Sequence, residues 1–198
     1  MSEEPVRTPA VRLFASIGED YRARGGGALS PGFHAVAVYR FGRWARTRPQ
    51  PVRVLWSVLH KLLYVLVRNL YGIELPADAD IGRRCTIAHP GGIVLNPRTV
   101  VGDDCLLRHN ITIGVGGIGG KAPTIGNRVQ IGAGAVLVGE IAVGDDAHIG
   151  PNAVVMSDVP NGGSAFAAPA RIMKQMSTPP VTGNGGSAQA PQRAPGDG

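Results

Sequence analysis

Aliphatic residues recur every six positions between residues 75 and 160, and this period constrains the fold more than any other feature of the chain. Glycine often follows the aliphatic residue, and a small or apolar residue usually stands four positions beyond it. Six is neither a helical period nor a simple alternation. It predicts short strands and turns, three to a triangular coil of about 18 residues, with each coil stacked on the next. The aliphatic residues, here called anchors, are Leu75, Ile81, Ile87, Ile93, Val101, Leu107, Ile113, Ile125, Ile131, Leu137, Val143, Ile149 and Val155.

The six-residue period is interrupted twice. Eight residues separate Ile93 from Val101, which predicts a two-residue bulge at 96–97. Twelve residues separate Ile113 from Ile125, and the glycine-rich stretch between them predicts an extruded loop of six residues. Its glycines also spell G-x-G-x-x-G, but that nucleotide fingerprint needs a helix directly afterwards, and another β coil is expected instead.

Composition and pattern divide the chain into four segments. The 29 Gly and 16 Pro residues disfavour a helical bundle, while regular runs within a 43% hydrophobic chain exclude full disorder. We predict a poorly defined segment at 1–30, an α-helical segment at 31–72, a β-helix at 73–174 and a disordered tail at 175–198. Within the helical segment, the pattern predicts helices from Phe33 to Arg46 and from Val52 to Leu70.

The positive charge of the chain belongs to its first third. Residues 1–72 carry 11 Lys and Arg against 4 Asp and Glu, within a net charge of +6. A solvated face of Arg-rich helices explains this better than a nucleic-acid partner. The second predicted helix has a very wide apolar face, which favours packing between subunits, with a membrane surface as the alternative.

The N-terminal sequence and the number of cysteines both indicate the cellular compartment. The N-terminus has no positively charged stretch followed by an apolar core, and the chain has two cysteines. We therefore expect a cytoplasmic protein without structural disulfides. Cys85 and Cys105 both stand four beyond an anchor, one coil apart, so they are predicted to be stacked core residues.

Three stretches of the chain resemble the serine O-acetyltransferase family of hexapeptide acyltransferases, over roughly residues 31–174. They are Ile81-Gly-Arg-Arg-Cys-Thr-Ile-Ala-His-Pro-Gly-Gly-Ile-Val, Ile131-Gly-Ala-Gly-Ala and Pro169-Ala-Arg-Ile. The resemblance implies a left-handed coil, acetyl-CoA as co-substrate, no metal, and homotrimers with active sites between neighbouring subunits. It also implies that the extruded loop reaches a neighbouring subunit's site.

Two histidines are the main catalytic candidates. His89 and His109 each stand two residues after an anchor, one coil apart, so the fold predicts that they are close together. The resemblance implies that His89 is the general base and that Glu74 stands where the family has the aspartate paired with it. His109 and Asn110 are candidates for acceptor binding, and His109 also for discouraging protonation of His89 by charge repulsion.

The resemblance also implies a cofactor site. Gly132, Ala133 and Pro151 would contact the pantetheine arm of acetyl-CoA, and Arg171 and Lys174 would meet its phosphates.

The acceptor is less closely indicated than the donor. Serine-specific members have an aspartate before the catalytic histidine, where this chain has Ala88, and an Arg-His-Pro sequence where it has Lys121-Ala122-Pro123. These changes favour a sugar or metabolite hydroxyl over serine, as in polysaccharide and secondary-metabolite O-acetyltransferases. The alternatives are a true serine O-acetyltransferase of cysteine biosynthesis, a zinc hydratase using His89, His109 and His148, and a non-catalytic trimeric scaffold.

Overall fold

Three helices open the structure, a computed structural model that describes residues 13–171. They are α1 (Leu13–Ala23), α2 (Pro31–Arg46) and α3 (Val52–Tyr71). The two predicted helices, α2 and α3, are confirmed to within two residues at each end, whereas α1 lies where no defined element was expected. None of the helices between residues 13 and 171 has the length and hydropathy needed to cross a bilayer. The predicted tail at 175–198 lies outside the described residues.

Fourteen short strands follow within the described part of the chain. They form three parallel sheets: sheet A (β1-β4-β7-β10-β13), sheet B (β2-β5-β8-β11) and sheet C (β3-β6-β9-β12-β14). Consecutive strands lie in different sheets, so each coil contributes one strand to each. The predicted left-handed parallel β-helix of hexapeptide repeats with an N-terminal helical segment is confirmed. The strands are β1 Ile73–Glu74, β2 Asp80–Ile81, β3 Thr86–Ile87, β4 Ile93–Leu95, β5 Val100–Val101, β6 Leu106–Leu107, β7 Thr112–Gly114, β8 Thr124–Ile125, β9 Gln130–Ile131, β10 Val136–Val138, β11 Ala142–Val143, β12 His148–Ile149, β13 Val154–Val155 and β14 Ser164–Ala165.

The interior of the coils is filled by the anchors, all of them buried, and by most of the residues four beyond them. Cys85 and Cys105 belong to this interior and are free thiols. Burial raises the pKa of Cys85 to about 12 and that of Cys105 to about 11, so both remain protonated at neutral pH. Their predicted role as stacked core residues is confirmed.

The strand register places the predicted bulge at a different position in the β-helix. Leu95 pairs with the anchor Ile113 of the next coil, so Leu95, and not Ile93, occupies the anchor position. The eight-residue interval therefore runs from Ile87 to Leu95, and the predicted bulge at 96–97 is wrong. Ile93 resembles an anchor in sequence because the position two before an anchor also points into the coil, and Ile93 is fully buried there.

The helices cover the open edge of the first coil. The Tyr39 hydroxyl accepts a hydrogen bond from the Ile81 N–H and donates one to the Ala79 carbonyl, both at 2.9 Å. The buried Arg40 guanidinium donates to the Ile81 carbonyl at 2.7 Å and forms an ion pair with the buried Asp20 of α1 at 2.8 Å. These contacts satisfy backbone groups that the absent preceding coil would otherwise have paired.

Candidate active site

The turns that join sheet C to sheet A stack directly on one another, and this column is here called the histidine corner. It comprises residues 88–92, 108–110, 132–134 and 150–152, one turn from each of four successive coils. Backbone hydrogen bonds connect the turns: Asn110 N–H to Gly91 O at 2.8 Å, Gly134 N–H to His109 O at 3.0 Å, and Asn152 N–H to Ala133 O at 2.8 Å. Side chains distant in sequence are thereby aligned along one edge of the β-helix.

His89 and His109 are neighbours at the first two turns of this corner, as predicted. Their ring centroids lie 6.0 Å apart and the rings are nearly perpendicular, at 88°. The His89 side chain is exposed and makes no hydrogen bond within residues 13–171. The His109 ring is half-buried, and its Nδ1 is shielded from solvent without a hydrogen-bond partner. His89 is thus the ring that an incoming molecule can reach.

The two-residue insertion gives the His89 turn its special backbone. His89, Gly91 and Gly92 have φ angles of 66°, 116° and 63°, whereas a regular turn of this corner uses one such residue, as at Asn110. A Cβ on Gly92 would lie 2.2 Å from Asn110 Oδ1, so the next coil excludes a side chain there. The insertion pushes His89 out of the regular turn, and the signal for it, a frame ambiguous between Ile93 and Leu95, was present in the sequence.

Glu74 lies at the start of the same coil but is not joined to His89. It is half-buried in β1, where it pairs with Val94 of β4. No hydrogen bond or ion pair connects Glu74 to His89 among the described residues. Its charge instead affects Tyr64 of α3. Burial is the larger cause of the raised pKa of Tyr64, and the Glu74 carboxylate raises it further.

The structure brings three of the five predicted cofactor residues to the histidine corner. Gly132 and Ala133 form the turn that follows His109 in the column, and Pro151 lies on the next turn. A Cβ on Gly132 would lie 2.6 Å from Pro151 N, so the chains are packed closely here. Arg171 is exposed and belongs to a second unit that begins at Pro169, and Lys174 lies outside the described residues.

The extruded loop leaves the β-helix at a different corner. It runs between β7 of sheet A and β8 of sheet B, so sheet A separates it from the histidine corner within one chain. The Arg98 guanidinium donates to the Gly120 carbonyl at 3.1 Å, and Lys121 forms an ion pair with Glu140. The tip residue Ile118 is fully exposed. A strand and not a helix follows the loop, so its G-x-G-x-x-G sequence lacks the context of a dinucleotide site.

The zinc alternative does not match this geometry. His148 is the first residue of β12, two strands along sheet C from β6, and it contacts Phe166 with ring centroids 5.7 Å apart. Two coil spacings of about 4.8 Å separate its strand from the coil of His109, which is too far for a shared ion. Within residues 13–171, no group of three or more His, Cys, Asp or Glu side chains is arranged to hold a metal.

Comparison with known proteins finds similarity to acetyltransferases of this fold. The family described as "Bacterial transferase hexapeptide (six repeats)" matches residues 122–157. A Helicobacter pylori protein named serine acetyltransferase is 41% identical over 103 residues, which cover 51% of this chain and 57% of that protein. The Escherichia coli K12 "putative colanic acid biosynthesis acetyltransferase WcaB" is 42% identical over 78 residues, covering 38% of this chain and 48% of that protein.

Solved structures agree with the sequence relatives. The soybean serine acetyltransferase apoenzyme superposes with a TM-score of 0.67 at 29% identity, covering 84% of this chain and 70% of that one. The matched region spans about half the length of the curated relatives. The predicted resemblance to serine acetyltransferase-like hexapeptide-repeat acyltransferases is confirmed in both sequence and fold.

Proposed function

We propose that this chain is an acetyl-CoA-dependent O-acetyltransferase that moves the acetyl group directly to an acceptor hydroxyl, with His89 as general base. The proposal depends on one observation above all. The histidine corner aligns the exposed His89 ring with the close-packed turns of Gly132, Ala133 and Pro151, so a donor lying along this edge would present its thioester to the imidazole. The similarity to named acetyltransferases supports the same reaction.

The chemistry follows from the poor nucleophilicity of a neutral alcohol. The neutral imidazole of His89 accepts the hydroxyl proton while the acceptor oxygen forms its bond to the thioester carbonyl carbon. The carbon–sulfur bond of the tetrahedral intermediate then breaks, and the proton passes from His89 to the leaving thiolate of CoA. No acyl-enzyme is needed, and the two cysteines are buried and protonated, so they take no part.

Glu74 is proposed as the carboxylate that orients His89. It stands at the position of the family's paired aspartate and begins the coil that ends at His89. Because Glu is one methylene longer than Asp, its carboxylate has a longer reach toward the corner. We propose that the contact forms when the acceptor and donor are bound, as catalytic hydrogen bonds often tighten only in the complex.

We propose that acetyl-CoA lies along the histidine corner between subunits of a homotrimer. Gly132, Ala133 and Pro151 would flank the pantetheine arm, whereas Arg171 and Lys174 stay predicted partners of the phosphates. The position of the extruded loop supports a site shared between subunits. The loop leaves the β-helix at one edge of sheet A, and His89 lies at the opposite edge. A neighbouring copy related by rotation would bring its own loop to this corner.

The proposed acceptor is a sugar or metabolite hydroxyl. Ala88 and Ala122 lack the polar groups that serine-specific members have at these positions for the α-amino acid head. One relative is named a putative colanic acid biosynthesis acetyltransferase, a name that fits a carbohydrate acceptor better than serine. Serine is the second candidate, because several relatives and the soybean structure carry the name serine acetyltransferase.

The test is release of CoA thiol from acetyl-CoA with a panel of serine, homoserine, sugars and nucleotide sugars. We expect turnover with a carbohydrate or metabolite acceptor, and we expect His89→Ala to lower it by roughly 10²–10⁴-fold, the usual contribution of a general base. Glu74→Gln should lower kcat less than His89→Ala.

The panel separates the two acceptors and tests the base independently. Turnover on serine equal to that on the other acceptors would refute the argument from Ala88 and Ala122. Full activity in His89→Ala would refute the mechanism. Arg128→Gln is a suitable control, since Arg128 lies between β8 and β9, at a different corner of the β-helix, and its side chain is half exposed.

A further inference from the structure

One face of α3 is apolar, apart from Asn69, and uncovered. The helix packs against α2 with a stripe that includes Trp56, His60 and Val67, whereas the residues on its other side are exposed. At 100° per residue this exposed side spans about 160°, far wider than a surface helix needs. Its members are Val52, Val54, Leu55, Val58, Leu59, Leu62, Val65, Leu66 and Leu70, several of them more than half exposed.

The cations near this face differ from those on the β-helix side. The three arginines of α2, Arg40, Arg43 and Arg46, form ion pairs with Asp20, Asp80 and Asp78. In contrast, four cations of the α2–α3 turn and of α3 form no ion pair with any described residue. They are Arg48, Arg53, Lys61 and Arg68.

Two of these cations lie at the border of the apolar face. Lys61 is three residues from Val58 and four from Val65, and Arg68 is three residues from Val65, so both side chains lie along one border of the face. Long cationic side chains at such a border can reach a charged layer while the apolar face enters the layer beneath it. No Asp or Glu occurs from residue 21 to residue 73.

We propose that α3 binds the surface of an anionic lipid bilayer, lying in the plane of the interface. An apolar face bordered by unpaired cations, on a helix that does not meet the requirements of a membrane span, is the pattern of interfacial helices. A second copy of α3 fits less well, because pairing would bring unpaired cations together without any carboxylate on either helix. This surface is distinct from the histidine corner, so the inference does not depend on the proposed acetyl transfer.

The test is sedimentation of the full-length protein with vesicles of phosphatidylcholine containing 30% phosphatidylglycerol, and with phosphatidylcholine alone. We expect binding to the anionic vesicles that weakens as salt is raised, and much weaker binding to the neutral ones. The triple variant R53Q/K61Q/R68Q should bind anionic vesicles at least about 25-fold more weakly, since Lys61 and Arg68 border the face and each cation near such a surface contributes about fivefold.

A matched control removes the same number of charges elsewhere. Arg83, Arg84 and Arg128 lie on the β-helix and each forms an ion pair with a carboxylate. R83Q/R84Q/R128Q should bind vesicles like the wild type, because those cations lie outside α3 and are already paired with carboxylates. Equal weakening in both triple variants would overturn the proposal, since net charge alone would then explain binding.

A second pair of substitutions tests the apolar face directly. Leu55 and Leu62 are each 65% exposed, so L55S/L62S should fold normally, which thermal unfolding checks. We expect this variant to lose vesicle binding while its mass by light scattering stays that of the wild type. No vesicle binding by the wild type would overturn the proposal. A smaller assembly in L55S/L62S without any loss of vesicle binding would also overturn it, because a second copy would then cover the face.

Discussion

At the scale of single residues, the site depends on a turn that departs from the repeat. His89 owes its exposed position to two extra residues between Ile87 and Leu95, and Gly92 permits the next coil to approach at Asn110. His109 keeps the regular turn and presents its ring to His89 at 88°.

This pairing predicts a role of His109 in acceptor binding. Because its ring lies beside the exposed ring of His89, His109→Gln should raise KM for the acceptor while changing kcat less. Initial rates over a range of acceptor concentrations measure both constants. An unchanged KM would contradict this role.

At the scale of elements, the helices α1 and α2 act as a cap on the first coil. Arg40 is almost fully buried and joins three groups: the Asp20 carboxylate of α1 and the carbonyls of Ile81 and Gly82 in the coil. Tyr39 completes the same edge through its hydroxyl. Arg40 and Asp20 are both removed from water, and their contacts offset the cost of that burial. Breaking such a buried pair leaves an uncompensated charge.

We expect Arg40→Ala to lower the free energy of unfolding by about 3–5 kcal/mol, because Asp20 would remain buried without its partner. Urea unfolding followed by circular dichroism measures this difference. Arg46→Ala is the matched control: its ion pair with Asp78 is about half exposed, so the loss should stay below about 1 kcal/mol. Equal losses in the two variants would contradict the capping role of Arg40.

At the scale of the whole molecule, the proposed site is incomplete in a single chain. The histidine corner lies at one edge of sheet A and the extruded loop lies at the other. A closed ring of copies places unlike edges side by side, as heterologous interfaces do. The proposed trimer therefore supplies each site with His89 from one subunit and the loop from its neighbour.

Mixed trimers test this arrangement. His89→Ala and a deletion of residues 116–121 should each be nearly inactive, but co-expressed subunits should recover up to about a quarter of wild-type activity, since that share of random interfaces combines an intact histidine with an intact loop. Differently tagged subunits allow purification of the mixed species. No recovery in verified mixed trimers would show that both elements act within one subunit.

The sequence by itself determined the β-helix, the two longer helices, the extruded loop and the pairing of His89 with His109. A period of six admits few other folds, and equal offsets from Ile87 and Leu107, one coil apart, predict neighbouring side chains even though the His89 turn carries two extra residues. The sequence also contained the cation-rich, carboxylate-free helical segment, but not which side of α3 stays uncovered.

Only the tertiary structure decided where the extra two residues lie. Ile93 and Leu95 are both buried and aliphatic, so hydrophobicity fits either frame, and only the strand pairing separates them. The same holds for α1 and for the Asp20–Arg40 pair, whose partners are brought together by packing on the first coil. The period and polarity of a sequence indicate which side chains face the interior. The position of the insertion beside His89 and the capping of the first coil depend on which backbone segments pack against each other.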